Sequence, residues 1–304
     1  MQQNLFAKLQ KIAEDEFGIK IKPTNRRNLS FDSLFGSYIE REELMSNFKD
    51  PIGDRMKANY ENRAKTYLTR RTPVIIRLDG KAFHTFTRGF KRPYDEVFHA
   101  AMNETMKYLC ENIQGCKFGY TQSDEITLLL TDYDTLTTDA WFGYSIQKLC
   151  SVSASMATLE FNRQLRNHIM AISFDEDRKE DLDYAVAFGR ALTTGALFDS
   201  RCFNIPKEEV TNCFIWRQQD AIRNAVQMLG QCHFSDNALD GKNQLEIREM
   251  LEEKGISFDE MPTEFQRGVC CMKSDEGKWI LDMEIPIFKM NREYVTKWVH
   301  PDEE

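Results

Sequence analysis

No run of apolar residues in this chain is long enough to cross a bilayer, which excludes a helical membrane span. Its eight cysteines form no C-x-x-C pair, and none lies at zinc spacing from a histidine. We therefore expect buried or free thiols of a reducing compartment rather than disulfides or metal ligands. The first residues carry acids early and lack the apolar core of a signal peptide, so a cytoplasmic protein is expected. Basic excess is missing too. A formal charge of −8 argues against non-specific nucleic-acid binding, although Arg and Lys cluster at 63–71 and 88–92 and leave room for a local basic groove. There are no internal repeats and no low-complexity linker.

What remains is ample for a core: 304 residues, 41% hydrophobic, enough for one large domain or two small ones. The stretch the rest is organised around is 72–84, TPVIIRLDGKAFH. Val74, Ile75 and Ile76 form a β-branched run too short for a helix, and it ends at Asp79-Gly80. This pattern reads as a buried strand delivering Asp79 at its tip. Gly80 permits close backbone approach to a ligand, and Lys81 and His84 add donors nearby. A second acidic cluster, Tyr120-Thr121-Gln122-Ser123-Asp124-Glu125, lies between two strand-like runs and reads as a hairpin tip. With one helix between them, the order strand, helix, strand, turn, strand allows Asp79 and Asp124 to meet on neighbouring central strands. A two-metal nucleotidyl-transfer site requires that arrangement.

In chain order, Leu5, Leu9, Ile12 and Phe17 predict an amphipathic helix within a separate N-terminal element, and 54–69 a polar helix. After the Asp79 turn, 85–92 is a basic and aromatic loop. Pro93 suits a first helical turn, and Phe98, Met102, Met106, Leu109 and Ile113 give a helical stripe. A long helix rich in small residues is predicted over 139–165, and a charged, exposed insertion over 175–183. A strand follows at 198–205, then a helix over 207–232 with a break near Asn212. A helix at 244–254, stopped by Gly255, precedes a hairpin pairing 268–273 with 279–288. The fold class is α/β with a mostly antiparallel sheet.

Magnesium takes hard oxygen ligands, commonly one or two carboxylates completed by phosphates and water. Asp79, the Gly80 carbonyl and Asp124 would suit it; the plainer reading is that D-G and S-D-E are ordinary turns. Glu125, next to Asp124 on a strand, points to the opposite face, where a structural role competes with a catalytic one. Lys81, His84, Lys148 and Arg217 could face phosphate or RNA, or simply solvent. Trp216 is more often core than a stacking platform.

Taken together the motifs say more. RLDGKAFHTFTRGFKRPYD at 77–95 and YTQSDE at 120–125, with WRQQDAIRN at 216–224 and FQRGV at 265–269, resemble the histidine-tRNA guanylyltransferase family from about residue 54 onward. The resemblance implies a palm-type, ferredoxin-like polymerase domain over 49–200, with 201–304 completing the fold through helices and a C-terminal hairpin, and 1–48 as an extension of unknown role. It implies a magnesium-dependent enzyme that adds nucleotides to the 5′ end of tRNA in the 3′-to-5′ direction after activation with ATP or GTP. By likeness, Asp79, Gly80 and Asp124 hold two Mg2+. Asp79, Gly80, Lys81, Ala82, Phe83, His84, Arg92, Ser123, Asp124 and Lys148 line the nucleotide site. Asp79, Asp124 and Glu125 form the catalytic set, and Trp216, Arg217 and Asn224 contact RNA. A homo-oligomer, commonly a tetramer, is implied as well. Eukaryotic members carry an H-I-N-N-L-Y-N block after W-R-Q, whereas here the segment reads Ile222-Arg223-Asn224-Ala225-Val226. That pattern looks like the bacterial, archaeal and phage guanylyltransferase-like proteins associated with repair of 5′-truncated tRNA. The alternatives are a nucleotidyl cyclase or signalling-nucleotide synthase on the same palm, and a non-catalytic RNA-binding protein, which would be expected to lack one of the two aspartates.

Overall fold

Strand β1 (Val74–Gly80) forms where the sequence predicts it, and Val74, Ile75 and Ile76 are all fully buried. A continuous apolar run on a strand requires cover on both faces, and β1 has it. The computed structural model describes residues 50–175 and 177–299. The helix expected around Leu5 to Phe17, and the rest of 1–48, lie outside these residues.

The described chain divides after Ala64. Of the first unit, helix α1 (Pro51–Met56) is capped by Asp50, which accepts from the Gly53 N–H at 2.9 Å. A π turn and a 3-10 turn continue it to Ala64, so the polar helix predicted to reach residue 69 ends five residues earlier.

In the second unit, β1 leads to the short helix α2 (Phe83–Phe86) and then to α3 (Glu96–Asn112). Strands β2 (Cys116–Gln122) and β3 (Glu125–Leu130) follow as a hairpin. Helices α4 (Ile146–Met170) and α5 (Lys179–Thr194) precede β4 (Phe198–Asn204). The long α6 (Lys207–His233), α7 (Asp236–Leu239), α8 (Gln244–Glu252) and α9 (Thr263–Arg267) come next. β5 (Val269–Lys273), β6 (Trp279–Asp282) and α10 (Glu293–Thr296) complete it. The six strands pair antiparallel throughout in the order β4-β1-β3-β2-β5-β6. The first four make a ferredoxin-like split βαβ arrangement.

Side-chain alternation assigns the faces. Val74, Ile76 and Leu78 pack with Met102 and Met106 of α3 and with Leu149 and Phe161 of α4. Ile75 packs with Phe118, Leu129, Val210 and Phe214, on the α6 side. Asp79 and Arg77 fall in the same register as Ile75. The second half of α6 joins α8 around Val226, Leu229, Ile247 and Leu251. Small residues let α4 close on the sheet, with the Ser153 hydroxyl 2.8 Å from that of Ser200 on β4.

Several boundaries differ from expectation. α4 begins at Ile146 instead of 139, because Phe142, Gly143 and Tyr144 take positive φ and break the turn before it. The charged stretch expected over 175–183 is exposed almost throughout its described residues, and from Lys179 on it forms the opening of α5, whose Tyr184, Ala187, Phe188 and Ala191 beyond it are buried at helical spacing. α6 runs through Asn212 unbroken; the Asn212 side chain donates to Glu209 and accepts from Arg292. Pro93 stands outside α3, and Asp95 caps it. β6 ends at Asp282 instead of 288. All eight cysteines are free.

Candidate active site

Two local devices bring the acidic residues together. β2 and β3 are joined through Ser123 and Asp124 alone, and Ser123 takes φ 53°, a positive value at the first central position of the kind that two-residue hairpins favour. The hairpin tip is then tied to the end of β1, where the Gly80 N–H donates to the Asp124 carbonyl at 3.1 Å. Register does the rest. Asp79 stands directly opposite Glu125 on β3 and Asp199 on β4, so three acids form one row across the sheet.

Such a row is electrostatically uncomfortable. Burial first, then Glu125 and Asp199, hold the Asp79 carboxyl above its usual range, against the opposing pull of Arg201 and Arg77. Burial raises the Asp124 carboxyl to about 6, with Asp79 adding to the rise and the Ser123 hydroxyl opposing it. Asp124 accepts from that hydroxyl at 3.2 Å. A pair of raised, half-buried carboxyls at a strand tip and an adjoining turn is a place where a divalent cation relieves repulsion. Among the described residues no three His, Cys, Asp or Glu side chains form a self-sufficient metal cage. The donor set therefore suits an ion that completes its shell with phosphate and water.

Asp124 opens on a cleft of about 430 Å3, lined also by Ser123, Phe83, His84, Arg92 and His99. Phe90, Lys91, Met228 and Gln231 contribute to its walls. Asp95 organises its rim. The buried carboxylate accepts from the N–H groups of Phe98 and Lys91, both at 2.9 Å, and from the Tyr184 hydroxyl at 2.7 Å. One side chain thus ties the start of α3 to the basic loop and to α5.

Phe83 has a double part. Its ring sits 5.0 to 6.0 Å from those of Phe86, Phe98, Phe161 and Phe198, a hub beneath the turn. A Cβ at Gly80 would lie 2.3 Å from that ring, so only glycine fits. Gly80→Ala is expected to cost about 1–3 kcal/mol through overpacking, read as a lowered urea midpoint. An unchanged midpoint would refute the packing account.

The other expected site residues are distributed. Lys81 and Ala82 open on a separate cleft of about 280 Å3 with Thr85 and Arg190. Lys148 holds its ammonium 5.2 Å over the Phe142 ring and is not in the lining of the cleft that Asp124 opens on. Glu125 accepts from Arg217 at 2.6 Å and from Arg77 at 3.3 Å, which commits it to positioning the hairpin. Arg217 is only 7% exposed and also pairs with Asp220 at 2.9 Å, so the structure uses it as an internal tie rather than presenting it to RNA. Trp216 is half exposed, with the guanidinium groups of Arg77 and Arg217 5.2 and 4.5 Å over its ring. Asn224 lines a shallow cleft on α6 with Arg223 and Lys242. Sequence reasoning missed Asp199, whose only signal is its even spacing from Arg201 and Phe203 on β4. It also missed His99 and Gln231, which no motif marks, and it marked Lys91 only as part of the basic loop.

A family model described as tRNAHis guanylyltransferase matches residues 53–206. Two solved structures of a bacterial tRNA(His) guanylyltransferase-like protein resemble the chain. The complex with ATP has TM-score 0.71 at 41% identity, and the complex with GTP has 0.67 at 39%; each covers 83% of this chain and 100% of the other. The fold also matches tRNA(His) guanylyltransferase from Saccharomyces cerevisiae, at 21% identity and TM-score 0.56, over 76% of this chain and 98% of that one. An uncharacterised protein of Acanthamoeba polyphaga mimivirus is 29% identical over 242 residues, 76% of this chain and 80% of its own. The motifs at 77–95 and 120–125 lie inside the family match, and the end of β1 that carries Asp79 is tied to the hairpin tip that carries Asp124 on a palm-type sheet. The chain belongs to the tRNAHis guanylyltransferase family and is a nucleotidyltransferase.

Proposed function

We propose that this enzyme adds nucleotides to the 5′ end of tRNA in the 3′-to-5′ direction, after activating the RNA 5′-monophosphate with ATP or GTP. The observation that carries the reading is the coupling of Asp79 to Asp124: the Gly80 N–H ties the end of β1 to the hairpin tip, Asp79 adds to the rise of the Asp124 carboxyl, and Asp124 lines a cleft with a cationic loop. Family membership implies a divalent cation, and we assign two Mg2+ to Asp79, the Gly80 carbonyl and Asp124. When bound, such ions supply charge neutralisation and Lewis-acid polarisation at the phosphates. The chain supplies position. Phosphoryl transfer needs in-line placement and charge stabilisation more than a protein nucleophile. Arg92 and Lys91 are placed to meet anionic oxygen at the cleft. Asp95 holds their loop, and the Arg217–Glu125–Arg77 group keeps the hairpin in register.

The family's bacterial members crystallise with ATP and with GTP, which fits a nucleotide in this cleft. The departure at 222–226 from the eukaryotic block favours repair of shortened tRNA over obligatory addition of guanosine to histidine tRNA. Homo-oligomeric assembly, with a tetramer as the family state, belongs to the same proposal and is read by solution mass.

The test uses a 5′-monophosphorylated tRNA lacking its first nucleotide, with Mg2+, ATP and each nucleoside triphosphate in turn. Extension only with the nucleotide matching the opposing base supports templated repair. Addition of guanosine whatever the opposing base restores strict guanylylation. Nucleotide turnover without any extension would overturn the proposal in favour of a cyclase.

A further inference from the structure

Helix α3 starts with a residue that the proposed chemistry does not use. His99 lies one turn into α3 and in the lining of the 430 Å3 cleft. Its imidazole stacks on the Tyr94 ring at 4.3 Å and 17° and meets the Phe98 ring edge-on at 5.2 Å. The Tyr94 hydroxyl is held in turn by the Glu264 carboxylate of α9. The imidazole plane is therefore fixed by packing on one side and backed by a hydrogen-bonded tyrosine. Both ring nitrogens lack a hydrogen-bond partner among the described residues. The residue is only partly buried, and its nitrogens are not among the buried polar atoms left without a partner. This immobilised ring therefore keeps its hydrogen-bonding groups free of other side chains and open to water, or to a ligand that displaces it from the cleft.

Its protonation state narrows the ligand. Burial pushes the imidazole down to about 4, so it is neutral at physiological pH and offers one N–H donor and one acceptor. It does not add to the cationic loop. The anionic end of a nucleotide has Arg92 and Lys91 to meet, and the imidazole is left for the base. Phe83, Phe90, Phe98 and Met228 line the same cleft, an apolar lining of the kind that takes a planar ring.

We propose that His99 is a specificity residue that reads the base of the activating nucleotide, ATP or GTP, in this cleft and selects purine over pyrimidine by hydrogen bonding to a purine ring nitrogen. This rests on the nucleotide reading of the cleft. A purine carries an acceptor nitrogen on its five-membered ring that no pyrimidine has, and both adenine and guanine present it. One donor fixed at that position accepts ATP and GTP alike. CTP and UTP would leave it unpaired.

Affinities of the whole protein for ATP, GTP, CTP and UTP, measured by calorimetry, test this. For the wild type we expect a purine preference of about tenfold or more, the scale of one desolvated hydrogen bond. His99→Phe keeps a ring on Tyr94 but removes donor and acceptor. It is expected to weaken ATP and GTP about tenfold and to leave CTP and UTP unchanged. His99→Gln, which restores a donor, should recover part of the preference. Thermal midpoints of both variants report folding independently of binding. A wild type without purine preference, or a folded His99→Phe that keeps it, overturns the proposal. Arg92→Ala separates the two levels. If it weakens all four nucleotides while His99→Phe changes none, the cleft is right and the role of His99 wrong. If neither variant changes any affinity, the cleft is not the nucleotide site and both readings fall.

Discussion

Asp124→Asn is expected to abolish nucleotide addition and, in the metal-free protein, to raise stability. The loss follows from the proposed site: an amide is a poorer ligand, and the missing carboxylate takes with it charge that would hold a cation against phosphate. A loss on the order of 10^3-fold or more in rate is expected. The gain follows from electrostatics. The folded state lifts the Asp124 carboxyl to about 6, above its unfolded value, so folding favours the protonated form. For such an acid the penalty is absent below the ordinary carboxylate range, grows as pH rises toward about 6, and is fully felt above it. The stability difference between Asp124→Asn and wild type should therefore be near zero at low pH and open as pH rises. Because the side chain is half-buried, we expect on the order of 1–2 kcal/mol at pH 8. Added Mg2+ should raise the wild-type thermal midpoint and leave that of the variant where it was. Asp79→Asn should lose activity equally. Retained activity in either variant, or an Asp124→Asn protein no more stable than wild type at pH 8, would sink the assignment.

The second large effect is on folding. Arg217→Met should cost about 2–4 kcal/mol, because it strips a buried guanidinium from two carboxylates, Glu125 and Asp220, next to an acidic row that already contains Asp79 and Asp199. Arg77 alone, at 3.3 Å, is left to balance Glu125. Combining Arg217→Met with Glu125→Gln should recover a substantial part of the loss, since it is the unpaired charge that is costly. Urea midpoints of the two single variants and the double variant form the measurement. If Arg217→Met is fully stable and instead loses affinity for tRNA, Arg217 contacts RNA and the internal account is wrong.

Much of this site was legible as one-dimensional order. A β-branched run ending in Asp-Gly, and a hairpin tip carrying Ser-Asp-Glu, locate β1, the β2–β3 turn and both aspartates, because strand propensity and turn chemistry act over a few residues. The small-residue face of α4 and the free cysteines follow from composition in the same way. Helix boundaries were less legible. The start of α4 is set by three consecutive positive-φ residues, and the charged opening of α5 hides the aromatic stripe that packs it. Neither has a strong local signal.

The partners of each side chain required the fold. The placement of Asp199 opposite Asp79 depends on strand register between segments more than a hundred residues apart. Arg217 becomes an internal tie only because α6 lies across the β1–β3 face. The cleft collects Arg92 from a loop, His99 from α3, Ser123 and Asp124 from a hairpin and Gln231 from the far end of α6. Residue type and spacing decide which chemistry the chain can attempt, since propensity and charge are local. Burial, pairing and the pKa of each group arise from contacts between distant segments, and those exist only once the sheet and its helices have packed.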